Sequence, residues 1–304
     1  MNVLVTGGAG FVGSHVVDRL VAEGHAVTVV DDLTSGRREN VNAAATLREC
    51  DVRTPELHRV IGDVRPRAVV HLAAQAAVPR SVTEPQFDAA VNILGTINLL
   101  EAAQAVGVER MVYISTGGAA YGDTPVLPTP ETHPASAISP YGVSKVTAER
   151  YLDCWTGLTP LTGVSLRLAN VYGPRQRPEG EAGVVAIFTQ RLLTGERCRI
   201  YGDGEQTRDY VYVSDVAEAV SAALTHTVAG VVNVATARET SVNTLYQRLC
   251  AVLGASQDPE YAPARPGDVR RSVLDNTRAR SVLGWAPRTS LDQGLAWTVE
   301  AMRR

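Results

Sequence analysis

The chain is poor in cysteine, has no long uninterrupted apolar run and carries no excess of positive charge. Its four cysteines, Cys50, Cys154, Cys198 and Cys250, lie far apart, with no Cys-x-x-Cys pair and no Cys/His cluster of metal-ligand spacing. This argues against a disulfide framework and a metal centre, and predicts reduced, mostly buried thiols in a cytoplasmic protein. No stretch of 18 uninterrupted apolar residues is present, so no membrane span is expected, and the start carries no basic leader with a cleavage site. A net charge of −3 and a pI near 6.1 give no general attraction to nucleic acid, so an anionic ligand would have to be held by locally placed arginines. No internal repeat and no linker-like tract interrupts the 304 residues, which are 45% hydrophobic and 20% charged. Such a chain buries a large core, as one domain or two lobes.

What is there begins at once. Residues 1–36 read as strand (Val3 to Val5), glycine turn, helix (Ser14 to Glu23), strand (Ala26 to Val30) and acid (Asp31). Gly7, Gly10 and Gly13 let the backbone turn tightly and approach a pyrophosphate without a side chain in the way. The helix N-terminus behind them favours negative charge. Asp31 follows Gly13 at close to the spacing of an acid that binds the adenosine ribose hydroxyls, where it would repel a 2′-phosphate. The pattern predicts a dinucleotide site for NAD rather than NADP.

Further along, residues 32–42 read as a polar loop and 46–50 as a third strand ending at Asp51-Val52. Asp51 either points at the adenine edge or caps the next helix, predicted over 54–65. Ala68 to Leu72 form a strand, apolar but for His71, of the kind buried in a parallel sheet, with His71 read as a hydrogen-bonded core residue. The small residues Ala73-Ala74-Gln75 follow. A long helix is predicted over 84–106, with Asn92 inside its apolar pattern, then a strand over 110–115, a loop over 123–140, a helix from about Pro140 to Trp155 and a strand over 163–168. This alternation implies an α/β fold, a Rossmann-type doubly wound parallel sheet covered on both faces. Beyond it the rhythm changes: helix 184–193, short strand 198–203, helix 215–224, a return strand 231–235, and two helical segments over 241–304. The expected division is 1–170, with a return segment at about 205–236, as the dinucleotide domain, and 171–204 with 237–304 as a smaller mixed α/β substrate lobe.

The strongest catalytic pattern is Tyr141-Gly-Val-Ser-Lys145, since residues four apart on a helix share a face. A phenol titrates near pH 10, and one adjacent opposite charge lowers a pKa by about 1–3 units. Lys145 alone falls short of a neutral-pH base, whereas Lys145 together with a cationic nicotinamide suffices.

The Thr-Gly-Gly-Ala-Gly-Phe-Val-Gly turn, Asp31, Asp51-Val52, Leu72-Ala73-Ala74, Asn92, Ser115 to Gly122 and Tyr141 to Lys145 together resemble the extended short-chain dehydrogenase/reductase family, and within it the NAD-dependent nucleotide-sugar 4-epimerases. The resemblance implies NAD bound by Gly7, Gly10, Phe11, Val12, Gly13, Asp31, Asp32, Ser35, Gly36, Asp51, Val52, Leu72, Ala73, Ala74, Gln75, Asn92, Ser115, Tyr141 and Lys145. It implies a tyrosine base at the sugar 4-hydroxyl, a 4-keto intermediate that turns over in the pocket, and a UDP-sugar substrate. Relatives usually place a Ser or Thr hydroxyl where this chain has Gly117. Thr116, Ser115 or a water in the space left by the glycine must then bond the sugar oxygen, and Thr116 is expected to do so. Without an acid in Gly117-Gly118-Ala119, the dehydratase and decarboxylase relatives fit less well, because elimination needs a general acid/base there.

For the substrate, the resemblance implies Arg208 and Arg265 on the diphosphate, where a planar guanidinium fork suits phosphate oxygens. Asn170 joins them, with Tyr201 beside the uracil, Asp268 near the ribose, and Val185 and Gly117 lining the pocket. Arg80 either faces a uronate carboxylate or is a solvated helix-start charge, and Ser272 stands where a bulky tyrosine restricts sugar size. No metal is implied. Helices 84–106 and 140–155 show broad apolar faces, which in the family pair with their copies, so a homodimer is expected. A net nucleotide-sugar oxidoreductase and a non-catalytic NAD-binding regulator are the other readings that fit the same motifs.

Overall fold

A computed structural model describes residues 1–178, 183–264 and 269–303. Its first part contains β1 (Asn2–Thr6), α1 (Phe11–Ala22), β2 (Ala26–Asp31), β3 (Thr46–Glu49), α2 (Glu56–Val64), β4 (Ala68–His71), α3 (Val78–Thr83), α4 (Pro85–Ala89), a π-helical turn (Ala90–Leu94), α5 (Gly95–Val106), β5 (Arg110–Thr116), α6 (Gly118–Tyr121), α7 (Pro140–Leu158) and β6 (Thr162–Leu168). Then come β7 (Asn170–Tyr172), α8 (Val184–Leu193), β8 (Arg199–Tyr201), β9 (Thr207–Arg208), β10 (Tyr210–Tyr212), α9 (Val213–Thr225), β11 (Gly230–Val234), β12 (Thr240–Ser241), α10 (Val242–Leu253), β13 (Glu260–Ala262), β14 (Arg271–Ser272), α11 (Thr277–Leu283) and α12 (Leu291–Arg303).

Seven strands form one sheet in the order β11-β6-β5-β4-β1-β2-β3, with every pairing parallel. This is the doubly wound α/β fold expected from the sequence. Val3, Leu4 and Val5 of β1 are fully buried because helices cover both faces. On one face Val16, Val17 and Leu20 of α1 pack with Val216 and Val220 of α9; on the other, α2, α5 and α7 bring Leu57, Ile61, Leu99, Leu100 and Leu152. Each such side chain contributes about 1.5–3 kcal/mol by leaving water. Helix α9 is fixed at both ends by charge. Buried Asp215 in its first turn accepts from the Thr289 backbone N–H at 3.0 Å, and buried Arg110 donates to the Ala223 carbonyl near its C-terminus at 2.7 and 3.0 Å, each opposing the helix dipole. Strand order reverses at β1, between β4 and β2, which opens a ligand crevice at the carboxyl ends of these strands.

Two of the long helical segments differ from the sequence reading. The helix expected over 84–106 is preceded by α3, broken at Pro85, where a missing N–H and a ring clash end a helix, and swollen by the π turn at 90–94. The tail expected to hold two helical segments holds three, α10, α11 and α12. The link from β2 to β3 is a loop, as read from the sequence, with a 3₁₀ turn at Arg38–Asn40. Helix Pro85–Val106, taken through its π turn, is long and apolar enough to cross a membrane by length and composition. In this fold its inner face packs against the core, with Asn92, Thr96, Leu99, Leu100 and Ala103 buried.

Beyond the sheet, a separate cluster gathers Tyr172, Val185, Phe188, Leu192, Tyr210, Tyr212, Leu245, Leu249 and Leu295. Strand β9 lies between β12 and β14 and sets Arg208 opposite Ser272.

Candidate active site

The glycine turn is shaped for close approach. Gly7 has φ +69°, and a Cβ on it would stand 2.6 Å from the Ala73 backbone nitrogen; one on Gly13 would stand 2.1 Å from the Gly7 carbonyl oxygen. No side chain caps the start of α1 at Gly10, so its first N–H groups are left for a ligand. Asp31, buried at the end of β2, accepts from the Ala9 and Leu33 backbone N–H groups at 2.9 Å each. Burial pushes its pKa up while these two bonds pull it down. The loop of Asp32, Ser35 and Gly36 folds back on the turn through Arg37 N–H to the Ala9 carbonyl (3.0 Å). At the far edge Asp51 is held by Arg53 at 2.9 and 3.0 Å, which lowers its pKa, and Val52 is buried under Gly95.

Across the crevice, Asn92 sits in the π turn. Its carbonyl oxygen accepts from the Gln75 N–H (2.8 Å), and its amide donates to the Gln75 carbonyl, Asp88 and Ser144 at 3.0–3.1 Å. The Gln75 side chain donates to Asp88 (2.8 Å) and to the Ala77 carbonyl. This network locks residues 72–77 to α4 and α7. His71 is buried between the hydroxyls of Thr6 (2.7 Å) and Thr96 (3.0 Å), and burial lowers its pKa to about 3. It is a neutral core residue, as expected.

Helix α7 starts with Ser139, whose hydroxyl accepts from the Gly142 N–H, and Pro140 in its first turn, both favourable there. It presents Tyr141, Lys145 and Glu149 one turn apart on one face. Glu149 is buried in a bidentate pair with Arg167 of β6 at 2.6 and 2.9 Å, and it also accepts from the Ser115 hydroxyl at 2.5 Å. Lys145 is buried, with its ammonium nitrogen 4.3 Å from the centre of the Tyr113 ring. Burial drives both side chains toward their neutral forms: Lys145 falls to about 7 against the raising influence of Glu149 and Asp88, and Tyr141 rises to about 12, helped by Asp88. A hydrogen bond from the Thr116 hydroxyl pulls Tyr141 back. Lys145 by itself therefore does not bring the phenol below its ordinary range.

Of the three candidates for the missing hydroxyl, Ser115 is committed to Glu149 and Thr116 reaches Tyr141. The space beside Gly117 holds Leu274: a Cβ on Gly117 would be 2.3 Å from Leu274 Cδ1. Leu274 and Ser272, whose hydroxyl comes within 3.2 Å of a Cβ on Gly118, bring the β9–β14 sheet carrying Arg208 to the turn at Gly117 and Gly118. Asn170 is exposed at the start of β7, Tyr201 is partly exposed on β8, and Val185 is buried in the second core. Arg80 pairs with Glu84 at 3.0 Å and stacks on Phe87, 4.1 Å from the ring centre, contacts that suit a helix-start charge. Arg265 and Asp268 lie outside the described residues.

A model of the NAD dependent epimerase/dehydratase family matches residues 3–235. The chain belongs to this family. Similar family members include the UDP-glucose 4-epimerase of Mycolicibacterium smegmatis, 48% identical over 309 residues that cover 100% of this chain and 99% of the relative. Among solved structures, the UDP-glucose 4-epimerase of Thermotoga maritima with UDP-glucose aligns with a TM-score of 0.98 at 50% identity, covering 100% of this chain and 99% of that one. The UDP-glucose 4-epimerase of Thermus thermophilus in complex with NAD aligns at 0.95 and 45% identity, again covering 100% and 99%. The family's dinucleotide fits the residues present: the glycine cradle has no room for a Cβ, the start of α1 is uncapped, and Asp31 closes the far end.

Sequence reading missed Asp88, Tyr113, Glu149, Arg167 and Leu274. The signal for the charged ones was a single charge inside an apolar pattern: Arg167 interrupts the run of β6, and Glu149 continues the four-residue spacing of Tyr141 and Lys145.

The burial of Lys145 makes a prediction. A lysine depressed to about 7 costs stability in full below that pH, and the cost fades as pH rises toward its ordinary value near 10.5. Lys145→Met is expected to stabilise the cofactor-free protein by about 1–3 kcal/mol at pH 6, and by progressively less toward pH 9. Denaturant unfolding at the two pH values reads this directly.

Proposed function

We propose that the protein is a UDP-sugar 4-epimerase that inverts C4 of a UDP-hexose or UDP-hexuronate. The observation that carries this is the meeting of Tyr141, Thr116 and Lys145 at the carboxyl edge of the sheet, beside a glycine cradle and facing the Arg208 strand. NAD, when bound, supplies a cationic nicotinamide and a reversible hydride acceptor for the sugar carbon. Tyr141 takes the proton of the sugar 4-hydroxyl and later returns it. Thr116 hydrogen-bonds that oxygen and the phenol, and Lys145 stabilises the phenolate. The buried Asn92–Gln75–Asp88 network holds the wall rigid so that these groups keep their alignment.

Residues 1–170 and about 205–236 form the dinucleotide domain in this reading, while 171–204 and 237–304 form the lobe for the nucleotide sugar. Gly7, Gly10, Phe11, Val12, Gly13, Asp31, Asp32, Ser35 and Gly36, with Asp51, Val52 and Leu72 to Gln75, hold NAD, while Asn92 and Ser115 support that wall from behind through Gln75 and Glu149. Arg208, Asn170 and Tyr201, with Arg265 and Asp268, hold the nucleotide. The enzyme works as a cytoplasmic homodimer; exposed Leu94, Val143 and Tyr151 on the two broad helices, at 61%, 51% and 37% exposure, support the pairing.

Incubation with UDP-glucose, UDP-galactose and UDP-glucuronate, followed by separation of the nucleotide sugars, tests the reading. It expects an equilibrium mixture of C4 epimers from at least one of them without net absorbance growth near 340 nm. Net growth of that band with substrate would establish an oxidoreductase instead.

A further inference from the structure

Tyr113 of β5 is 1% exposed, and among the described residues its hydroxyl has no hydrogen-bond partner. Leaving a buried hydroxyl unpaired carries a cost, so hydrogen bonding does not explain the residue. What the ring does touch is Lys145. The ammonium nitrogen lies 4.3 Å from the ring centre, well inside the range of a cation–π contact. Lys145 is also the chain's only lysine: every other basic side chain among the 29 Lys and Arg residues is arginine.

The charged groups around Lys145 are already engaged elsewhere. From α4, Asp88 accepts from Gln75 and Asn92. On α7 itself, Glu149 is taken by Arg167 of β6 and by Ser115. From β4, neutral His71 lies behind Tyr113, with ring centres 5.6 Å apart, and Tyr141 is the reacting phenol. No carboxylate forms an ion pair with Lys145 among the described residues, so the direct contact of its ammonium is the face of Tyr113.

We propose that Tyr113 is a positioning residue of the reaction, the face of its ring holding the Lys145 ammonium in place and charged within a buried pocket. The activity arm of the test rests on the epimerase reading; the titration arm does not.

Growth on [6-¹³C]lysine gives a single protein resonance, because there is one lysine, and its pH titration in the cofactor-free protein reports Lys145 directly. Tyr113→Phe keeps the ring face and is expected to titrate with the parent. Tyr113→Leu removes the face and is expected to lower the midpoint by about one pH unit. Trifluorophenylalanine at 113, of nearly the same volume but with a weakened face, is expected to fall between, and it decides the matter should the Leu chain fail to fold. In turnover, Tyr113→Leu is expected to lower kcat at pH 7 about tenfold with KM unchanged and the acid limb of the pH profile moved upward, and Tyr113→Phe to restore both. Coincident titrations of the Phe, trifluorophenylalanine and Leu proteins would overturn the proposal. Variant titrations shifted in this order, in a parent without epimerase activity, would leave the Tyr113 ring holding the Lys145 ammonium and sink the epimerase reading instead.

Discussion

Tyr141→Phe is expected to lower kcat by about 10²–10⁴-fold, the worth of a positioned general base, while NAD stays bound and the affinity for the UDP-sugar changes by less than about threefold. Phenylalanine keeps the ring at the start of α7 and removes only the oxygen that, in the proposed reaction, takes the sugar proton. The contrast in size follows from the site. Tyr141 rises to about 12 in the cofactor-free protein, so it has no standing role as an anion, and what the variant loses is catalysis. Parallel assays of epimer formation, of NAD retained after gel filtration and of UDP binding by calorimetry separate the effects. A Phe variant retaining a tenth of parental kcat would remove Tyr141 from the chemistry.

The largest effect on stability is expected from Arg167→Leu. Arg167 and Glu149 are both almost completely buried, 4% and 2% exposed, and joined at 2.6 Å. Removing one partner of such a pair leaves an uncompensated buried charge, worth about 3–5 kcal/mol, whereas replacing both by apolar groups is often neutral. Arg167→Leu should therefore unfold at markedly lower denaturant, and Arg167→Leu with Glu149→Leu should recover most of the loss. The Ser115 hydroxyl that Glu149 accepts is next to Thr116, so the single variant should also lose activity out of proportion to its folded fraction. Equal stabilities for the single and double variants would show that the pair does not act as a unit.

Much of this molecule was legible in its residue order because the decisive signals are local. The strand, glycine turn, helix and acid of residues 1–36 follow from spacing alone, and α8 begins and ends at Val184 and Leu193 as the apolar period requires. The four-residue step from Tyr141 to Lys145 is likewise a property of one helix. What spacing does not carry is burial. The sequence suggested a lysine that lowers its neighbour's pKa, but in the folded protein desolvation of both groups outweighs their proximity. Nor does it carry contacts between distant segments: Leu274 fills the space at Gly117 from 157 positions away, and Tyr113 meets Lys145 only because β5 lies under α7. The π turn at 90–94 adds a residue to one helical turn, where the apolar period predicted a regular helix; Asn92 lies within it.

The most direct test of the central claim is to run the interconversion of UDP-galactose and UDP-glucose in D₂O with the purified protein and no added cofactor, following C4 by proton NMR. Inversion by oxidation and return at the same carbon predicts product that forms and keeps its C4 proton, with no deuterium entering there. Deuterium accumulating at C4, or no inversion of any UDP-hexose or UDP-hexuronate once NAD is supplied, would contradict it.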